Sequence, residues 1–425
     1  YQPAFTYSSH GSKIMKESAE LFRDLNLSDL QKGIINIAGK IGREKIAPRA
    51  AEIDREARNP LENYDDLRKS GIHSMCVPER FGGLGHDYAT YMMVSSELGR
   101  HCGATALSFN MHASTTLWIG DMLDGLDLSQ EQKEEMESLR AVHYNRIVND
   151  GALYAQTFSE GNLAAAGKVP FGTTAKKVDG GWLLNGRKIF ASLSGAATHY
   201  GILCTEEKPE LRSLDTMYIA VPTNSSGFSI SGEWDPLGMR GTVSRNLIMK
   251  DVFVPDSEQL MPRGTYHLAA RNIPHMFLTL SATYVGIAQG AYDFTVQYLR
   301  GENSEALGSK SRQHPAKQYT VAEMFIKLEQ IRALFMRSIH EIKVNPEKSA
   351  RQRAYASQFT TMEGAVDICR LAIRTCGGRS MLKTFPLERM YRDARCGSLM
   401  FPWTAEACLD RLGRETLYEK GETDD

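Results

Sequence analysis

Apolar residues recur at intervals of three and four from Ser18 to about Leu126, with mixed charges between them and Ala-rich runs such as Ile46 to Arg58. That pattern predicts a succession of amphipathic helices in the first third of the chain. It is broken at Val77-Pro-Glu-Arg-Phe-Gly-Gly-Leu-Gly-His86, where Pro and Gly predict a sharply bent loop. Between about Gly151 and Arg263 the chain changes character. Thr173 to Val178 predicts a strand, Asp179-Gly180-Gly181 a hairpin turn, Trp182 to Leu184 the returning strand, and Asn185-Gly186 a further tight turn. Short apolar runs at Tyr200 to Thr205, Thr216 to Val221 and Leu247 to Val254, separated by Gly, Pro, Ser and Asp, fit the same compact β-unit. From His267 the helical period returns, and Leu278 to Leu299, Tyr319 to Ile342 and Ala350 to Thr375 are each long enough for a bundle helix. Pro386 and Pro402 set the boundaries of shorter helices, the latter opening the last one. The expected organisation is a helical unit over 1–150, a β-unit over 151–263 and a helical bundle over 264–425.

Composition narrows the function classes. Fifty Lys plus Arg stand against 51 Asp plus Glu in 425 residues, a formal net charge of −1, which argues against a nucleic-acid binder or a polybasic membrane-surface protein. Hydrophobic residues make up 42% and charged residues 24%, the balance of a folded globular chain. No eighteen-residue apolar run suggests a membrane span, and Tyr1 to Lys16 lacks the order of a secretory signal. The expectation is a cytoplasmic protein, or one of an organelle matrix if a targeting peptide was removed ahead of Tyr1. Seven scattered cysteines without a C-x-x-C pair read as packing residues rather than disulfides or thiolate ligands. The chain carries no H-E-x-x-H, no G-x-S-x-G and no G-x-G-x-x-G between a strand and a helix, so no metal centre, serine-hydrolase elbow or Rossmann fingerprint is expected.

Four segments in order carry a resemblance. They are Val77 to Gly85; Gly181-Trp-Leu-Leu-Asn-Gly-Arg-Lys-Ile-Phe-Ala-Ser192; Leu237-Gly-Met-Arg-Gly-Thr-Val-Ser-Arg245 with Asp251-Val-Phe-Val-Pro255; and Cys376-Gly-Gly378 with Pro386-Leu-Glu-Arg-Met-Tyr-Arg-Asp-Ala-Arg395. Over nearly its whole length the chain resembles the acyl-CoA dehydrogenase superfamily. The resemblance implies a mostly α fold with a central β-barrel-like domain and a C-terminal four-helix bundle, binding FAD as a homodimer or homotetramer. It puts Phe158, Ser159, Phe190 and Ser192 at the flavin, with the Ser192 hydroxyl toward N5, where hydrogen bonds tune the redox form. Read without it, Ser192 caps a strand and Phe190 is core. Gly377 and Gly378 would let a phosphate approach the backbone, in the family that of a neighbouring subunit's cofactor, or else end a helix. Arg389, Arg392, Asp393 and Arg395 read as an ion-pair cluster or, alternatively, as ligand contacts.

The chain departs from the family where the chemistry is sharpest. α,β-Dehydrogenation needs a carboxylate to take the α-proton, yet the two positions the family uses hold Phe401 and Met276, with Phe277 where many members have an Arg. At the usual phosphate-contacting start of the following helix stand Ser304 and Leu307, with only Gly308 retained, and Arg312 is the substitute candidate. Glu406 is the nearest downstream carboxylate, a displaced base or an exposed first-turn acid. His112, in Phe109-Asn-Met-His, matches the helix histidine of the superfamily's flavin monooxygenases, or is a hydrogen-bonded helix residue. Glu160 reads as structural. The leading expectation is therefore an FAD-dependent oxidoreductase acting on CH–CH groups of an acyl thioester, bound to CoA or a carrier protein, with an external electron acceptor. The alternatives are a monooxygenase of the same fold served by a flavin reductase, and a catalytically idle flavoprotein.

Overall fold

The computed structural model describes residues 22, 25–301, 303–304, 309–419 and 422. Helix α1 (Asp29–Ile41) starts at Ser28, whose hydroxyl accepts from the Gln31 amide while the Gln31 side chain accepts from the Ser28 amide. This reciprocal cap satisfies two otherwise orphaned N–H groups. A π-turn at Gly42–Ile46 leads into α2 (Ala47–Glu56), followed by α3 (Leu61–Lys69), α4 (Tyr88–His101), α5 (Gly103–Trp118) and α6 (Gln130–Asn145). The bent loop expected at 77–86 is present, and it closes on itself so tightly that a Cβ on Gly83 would lie 2.1 Å from the Val77 carbonyl oxygen.

Seven strands follow in one sheet: β1 (Tyr154–Thr157), β2 (Thr174–Val178), β3 (Gly181–Ala191), β4 (His199–Glu206), β5 (Thr216–Pro222), β6 (Phe228–Ser231) and β7 (Arg245–Pro255). Their order is β1-β4-β2-β3-β7-β6, with β5 on β4. One expectation is corrected here. Asn185-Gly186 is not a turn but a bulge inside β3, where the register against β7 slips between Leu184 and Gly186. Gly186 has φ +150°, and a Cβ there would meet Thr173 Cα at 2.6 Å, so the strand kinks without ending and runs on to Phe190.

The chain then forms α7 (Thr265–Asn272), α8 (Thr279–Gly301), α9 (Pro315–His340), α10 (Lys348–Cys376), α11 (Leu387–Gly397) and α12 (Ala405–Leu417). Helix α10 packs against α8, α9, α11 and α12. The last helix is opened by Thr404, whose hydroxyl accepts from the Ala407 amide, and not by Pro402, because a side-chain cap fixes the start more directly than a proline two residues earlier. Leu307 and Gly308 lie outside the described residues. Among the described residues no helix is long and apolar enough to cross a membrane.

Two features lock the halves together. Every residue of α4 is buried, and it crosses α8 with backbones almost touching: a Cβ on Gly99 would lie 2.4 Å from Thr283 O, one on Gly286 2.1 Å from Ser96 O, and one on Gly290 2.5 Å from Arg100 O. Beside this seam the buried Arg100 pairs with Asp293 at 2.5 Å and with Glu97 at 3.4 Å. The second feature is a buried histidine cluster beneath β1. His112 Nε2 meets His73 O at 2.8 Å while Tyr154 N–H donates to His112 Nδ1 at 3.1 Å; His143 bridges the Tyr154 hydroxyl and Gln259 O, both at 2.9 Å.

Burial pushes His73 and His143 down to about 4 from the ordinary 6.5, and His112 well below it. These rings are neutral when folded and take protons only when the chain opens, so their stabilisation is complete above pH 6.5 and drains away as pH falls toward 4, at about 1.4 kcal/mol per pH unit for each ring. The urea midpoint is expected to be flat from pH 7 to 8 and to drop steeply from 6.5 to 4.5. A midpoint unchanged at pH 5 would contradict this assignment.

Candidate active site

A cavity of about 720 Å³ opens between the end of β3, helix α5, the start of α8 and the turn before α12. Phe158 and Ser159, just past β1, line it together with Phe190 and Ser192 at the end of β3, so four of the residues singled out from the sequence converge. Leu107, Met111 and Trp118 of α5 form one wall, and Met276, Phe277, Thr279 and Leu280 face them. Phe401 and Trp403 close the side nearest α12. The ring of Phe158 is held edge-on by Tyr218 and Tyr266 at 5.9 and 6.0 Å. Phe190 is 66% exposed, at 6.3 Å from Trp234 in a T-shaped contact.

The backbone around this wall is strained. Phe190, Leu193, Met239 and Val243 all have left-handed φ, at +52°, +65°, +53° and +43°, a conformation that costs bulky residues free energy and persists only where neighbours enforce it. Here the enforcement is visible: Leu193 N–H donates to Thr242 O at 2.9 Å, Ser194 N–H to Val243 O at 3.1 Å, and Met239 N–H to Asp393 Oδ1 at 2.6 Å. Burial raises the Asp393 carboxyl to about 6. The neighbouring arginines serve the fold as well: Arg392 pairs with Asp54 at 2.6 Å and Glu388 at 2.8 Å, and Arg395 with Glu363 at 2.8 Å.

Polar groups at the cavity wall are few and uncharged. Ser192, Thr242 and Ser244 form a row of hydroxyls, 2.8 Å between Ser192 and Ser244 and 2.7 Å between Ser244 and Thr242. Gln156 reaches the wall with its Nε2 buried and unpartnered. Among the described lining residues there is no Asp, Glu, His, Lys or Arg; the titratable one is Cys396, whose thiol burial pushes up to about 11. The two positions expected to lack a base, Phe401 and Met276, both face this cavity.

The other sequence candidates lie elsewhere. Glu406 is exposed in the first turn of α12 and does not line the cavity. His112 is fully buried with both ring nitrogens engaged by backbone groups, so as placed it has no lone pair or proton to offer a substrate. Arg312, in the turn ahead of α9, is exposed, and Gly377 and Gly378 form an exposed turn at the end of α10 where added Cβ atoms would meet nothing within 4 Å. Glu160 also stays off the cavity wall. It accepts from the Gly172 and Thr173 amides at 2.7 and 3.0 Å and pairs with the fully buried Lys188 at 2.7 Å, fixing the segment after β1 against β3.

Sequence reading missed a second compartment. A groove of about 1140 Å³ shares Phe277 and Trp403 with the cavity and carries Arg271, Lys348, Arg351, Arg411 and Arg414. Arg351 is paired with Glu415 and Lys348 with Glu419. The guanidinium of Arg411 lies 3.8 Å over the Trp403 ring, and its Nη1 and the Trp403 Nε1 are buried without hydrogen-bond partners. Burial pushes the Arg411 guanidinium below its usual range, since a buried cation without a counter-charge has lost its water. No local motif marks these cations, which come from α7, α10 and α12.

Family models described as acyl-CoA dehydrogenase N-terminal, middle and C-terminal domains match residues 28–135, 164–252 and 264–401. The acryloyl-CoA reductase (NADH) of Anaerotignum propionicum is 29% identical over 408 residues, covering 95% of this chain and 98% of that protein. The mitochondrial short-chain specific acyl-CoA dehydrogenase of Homo sapiens is 27% identical over 377 residues, covering 88% and 87%. Among solved structures, FMN-bound TdsC from Paenibacillus sp. A11-2, a dibenzothiophene monooxygenase, has a TM-score of 0.78 at 21% identity over 91% of this chain and 97% of that one; at that identity the likeness concerns the fold.

The buried pair beside the cavity gives a direct test of what holds its wall. Glu160→Ala leaves the Lys188 ammonium buried without a counter-charge, a loss of about 3 to 5 kcal/mol that urea denaturation at pH 7 should record. A loss under 1 kcal/mol would mean the pair does not fix this segment.

Proposed function

The chain belongs to the acyl-CoA dehydrogenase family, and from that premise we propose that it is a flavin-dependent oxidoreductase that holds the flavin ring in the aromatic cavity and an acyl thioester beside it, with the phosphorylated carrier in the basic groove. The observation that carries this reading is the shared wall: Phe277 and Trp403 belong to both compartments, so one ligand can extend from apolar cavity to cationic groove. The residues present fit a flavin. Phe158, Phe190 and Trp234 offer apolar faces to a planar ring, while the unpartnered Gln156 Nε2 and the hydroxyl row offer a donor and acceptors to its polar edge. We assign the cofactor as FAD, its adenylate half reaching the open Gly377–Gly378 turn of a second copy of the chain.

When bound, flavin supplies the hydride acceptor for α,β-dehydrogenation, or, reduced by a partner reductase, the means of activating oxygen. The chain's own part in dehydrogenation would be to orient the acyl group and to accept the α-proton. The aromatic walls and the groove cations serve the first task. For the second, the described cavity wall offers no carboxylate, and a thiol pushed up to about 11 stays protonated at neutral pH. A positioned base contributes roughly a hundred- to ten-thousand-fold, so oxidation of ordinary straight-chain thioesters should be slower by that order. The same carboxylate-free wall favours a second reading, a monooxygenase of this fold, for which no α-proton need be removed.

Two measurements test the proposal. Anaerobic mixing of the FAD-loaded protein with octanoyl- or butyryl-CoA is expected to bleach the flavin only slowly, with Glu406→Gln nearly silent; fast bleaching abolished by Glu406→Gln would assign the base to that residue, and rapid NADH-linked oxygen consumption with a flavin reductase would select the monooxygenase. For the groove, Arg411→Gln should raise the KM of a CoA thioester about 10- to 100-fold, as loss of a charge-assisted hydrogen bond implies, while leaving the KM of the corresponding pantetheine thioester unchanged. Equal effects on both thioesters would remove the carrier from the groove.

A further inference from the structure

The three hydroxyls at the cavity wall can be ordered by counting protons. Each serine or threonine hydroxyl has one proton to give and two lone pairs. Thr242 Oγ1 is 2.9 Å from Met239 O, and a carbonyl oxygen only accepts, so the Thr242 proton is spent there. In its 2.7 Å contact with Ser244, Thr242 is therefore the acceptor and the Ser244 proton is spent in turn. In the 2.8 Å contact between Ser244 and Ser192, Ser192 must then be the donor. Ser192 is left with lone pairs, and no proton, for whatever lies in the cavity. The anchor of the row does not swing, because Met239 O also accepts the Thr242 amide at 3.0 Å and the Met239 amide is tied to Asp393.

We infer that Thr242 and Ser244 are positioning residues that make Ser192 an obligate hydrogen-bond acceptor toward the cavity, and that the protein thereby favours the reduced flavin, whose N5 carries hydrogen, over the oxidised flavin, whose N5 carries only a lone pair. The inference rests on the reading that the flavin edge lies against Ser192. Oxidised N5 opposite an acceptor-only oxygen gains no hydrogen bond and meets lone-pair repulsion; N5–H opposite the same oxygen donates to it. The midpoint potential of the bound flavin is raised accordingly. Releasing any proton upstream reverses the preference, since Ser192 is then free to donate to oxidised N5.

The test uses the FAD-reconstituted protein and reads the midpoint potential by equilibration against a redox dye. Ser244→Ala and Thr242→Val are each expected to lower it by a two- to tenfold change in equilibrium constant, about 10 to 30 mV for a two-electron couple, and Thr242→Ser, which keeps the hydroxyl, should stay at the wild-type value. If Ser192→Ala shifts the potential while Ser244→Ala and Thr242→Val do not, the ordered row is refuted and the flavin placement stands. If Ser192→Ala also leaves it unmoved, or no flavin is retained, the placement itself fails and the inference with it. A binding measurement on unmutated protein guards against variants that do not fold: 5-deaza-FAD, with C–H in place of N5, should bind at least as tightly as oxidised FAD. Weaker binding of the deaza analogue would show that Ser192 donates, and would overturn the inference.

Discussion

The cavity exists because two helices approach to backbone contact. Where α4 crosses α8, Gly99, Gly286 and Gly290 leave no room for a single Cβ, and the paired charges of Arg100 and Asp293, buried beside the crossing, fix its register. Close-packed interiors transmit such a constraint with little give. Helix α5 continues directly from α4, and the residues Met276 to Leu280 lead into and begin α8. The two walls that face each other across the cavity are therefore held by this crossing and by their own direct contacts, Ser114 Oγ donating to Thr279 Oγ1 at 3.1 Å and the Trp118 and Phe277 rings 5.6 Å apart. The β-sheet is fitted onto this frame by the histidine cluster under β1, while the Glu160–Lys188 pair fixes the segment after β1 against β3.

Within that frame the site is built from strain rather than charge. Four non-glycine residues with left-handed backbone surround the hydroxyl row, and the hydrogen bonds that hold them there meet those of the row at Met239 and Thr242. Their cost is met by the surrounding packing, as is usual where a fold over-determines a local geometry. The charges that the chain does concentrate lie one wall away, in the groove, where Arg411 stacks on Trp403. The apolar cavity and the cation-bearing groove thus meet at two aromatic side chains, Phe277 and Trp403.

Much of this was legible in the sequence, for reasons that are physical. The helices α8, α9 and α10 and the strands β4, β5 and β7 were found because their apolar residues repeat at the period of the element. Phe158, Ser159, Phe190 and Ser192 were found through a resemblance and do converge on one cavity. Asn185-Gly186 was misread because the dipeptide that favours a turn also suits a bulge, and only the partner strand decides which. His112 could not be told from a functional histidine, since its two backbone partners come from residues 73 and 154. The groove cations and the hydroxyl order left no mark at all: the first are gathered from three helices, and the second depends on which oxygen is a carbonyl at 2.9 Å.

The all-round burial of α4 has a consequence for how the chain is made. Its covering partner, α8, ends about 200 residues further on, beyond the whole β-sheet. At about 5 to 20 residues per second, synthesis leaves α4 uncovered for roughly 10 to 40 seconds. During that interval the side of α4 that α8 will cover is open, and with it Gly99, where the two backbones come to meet. The first helices can collapse early, but they cannot reach their final packing until the bundle arrives to close them.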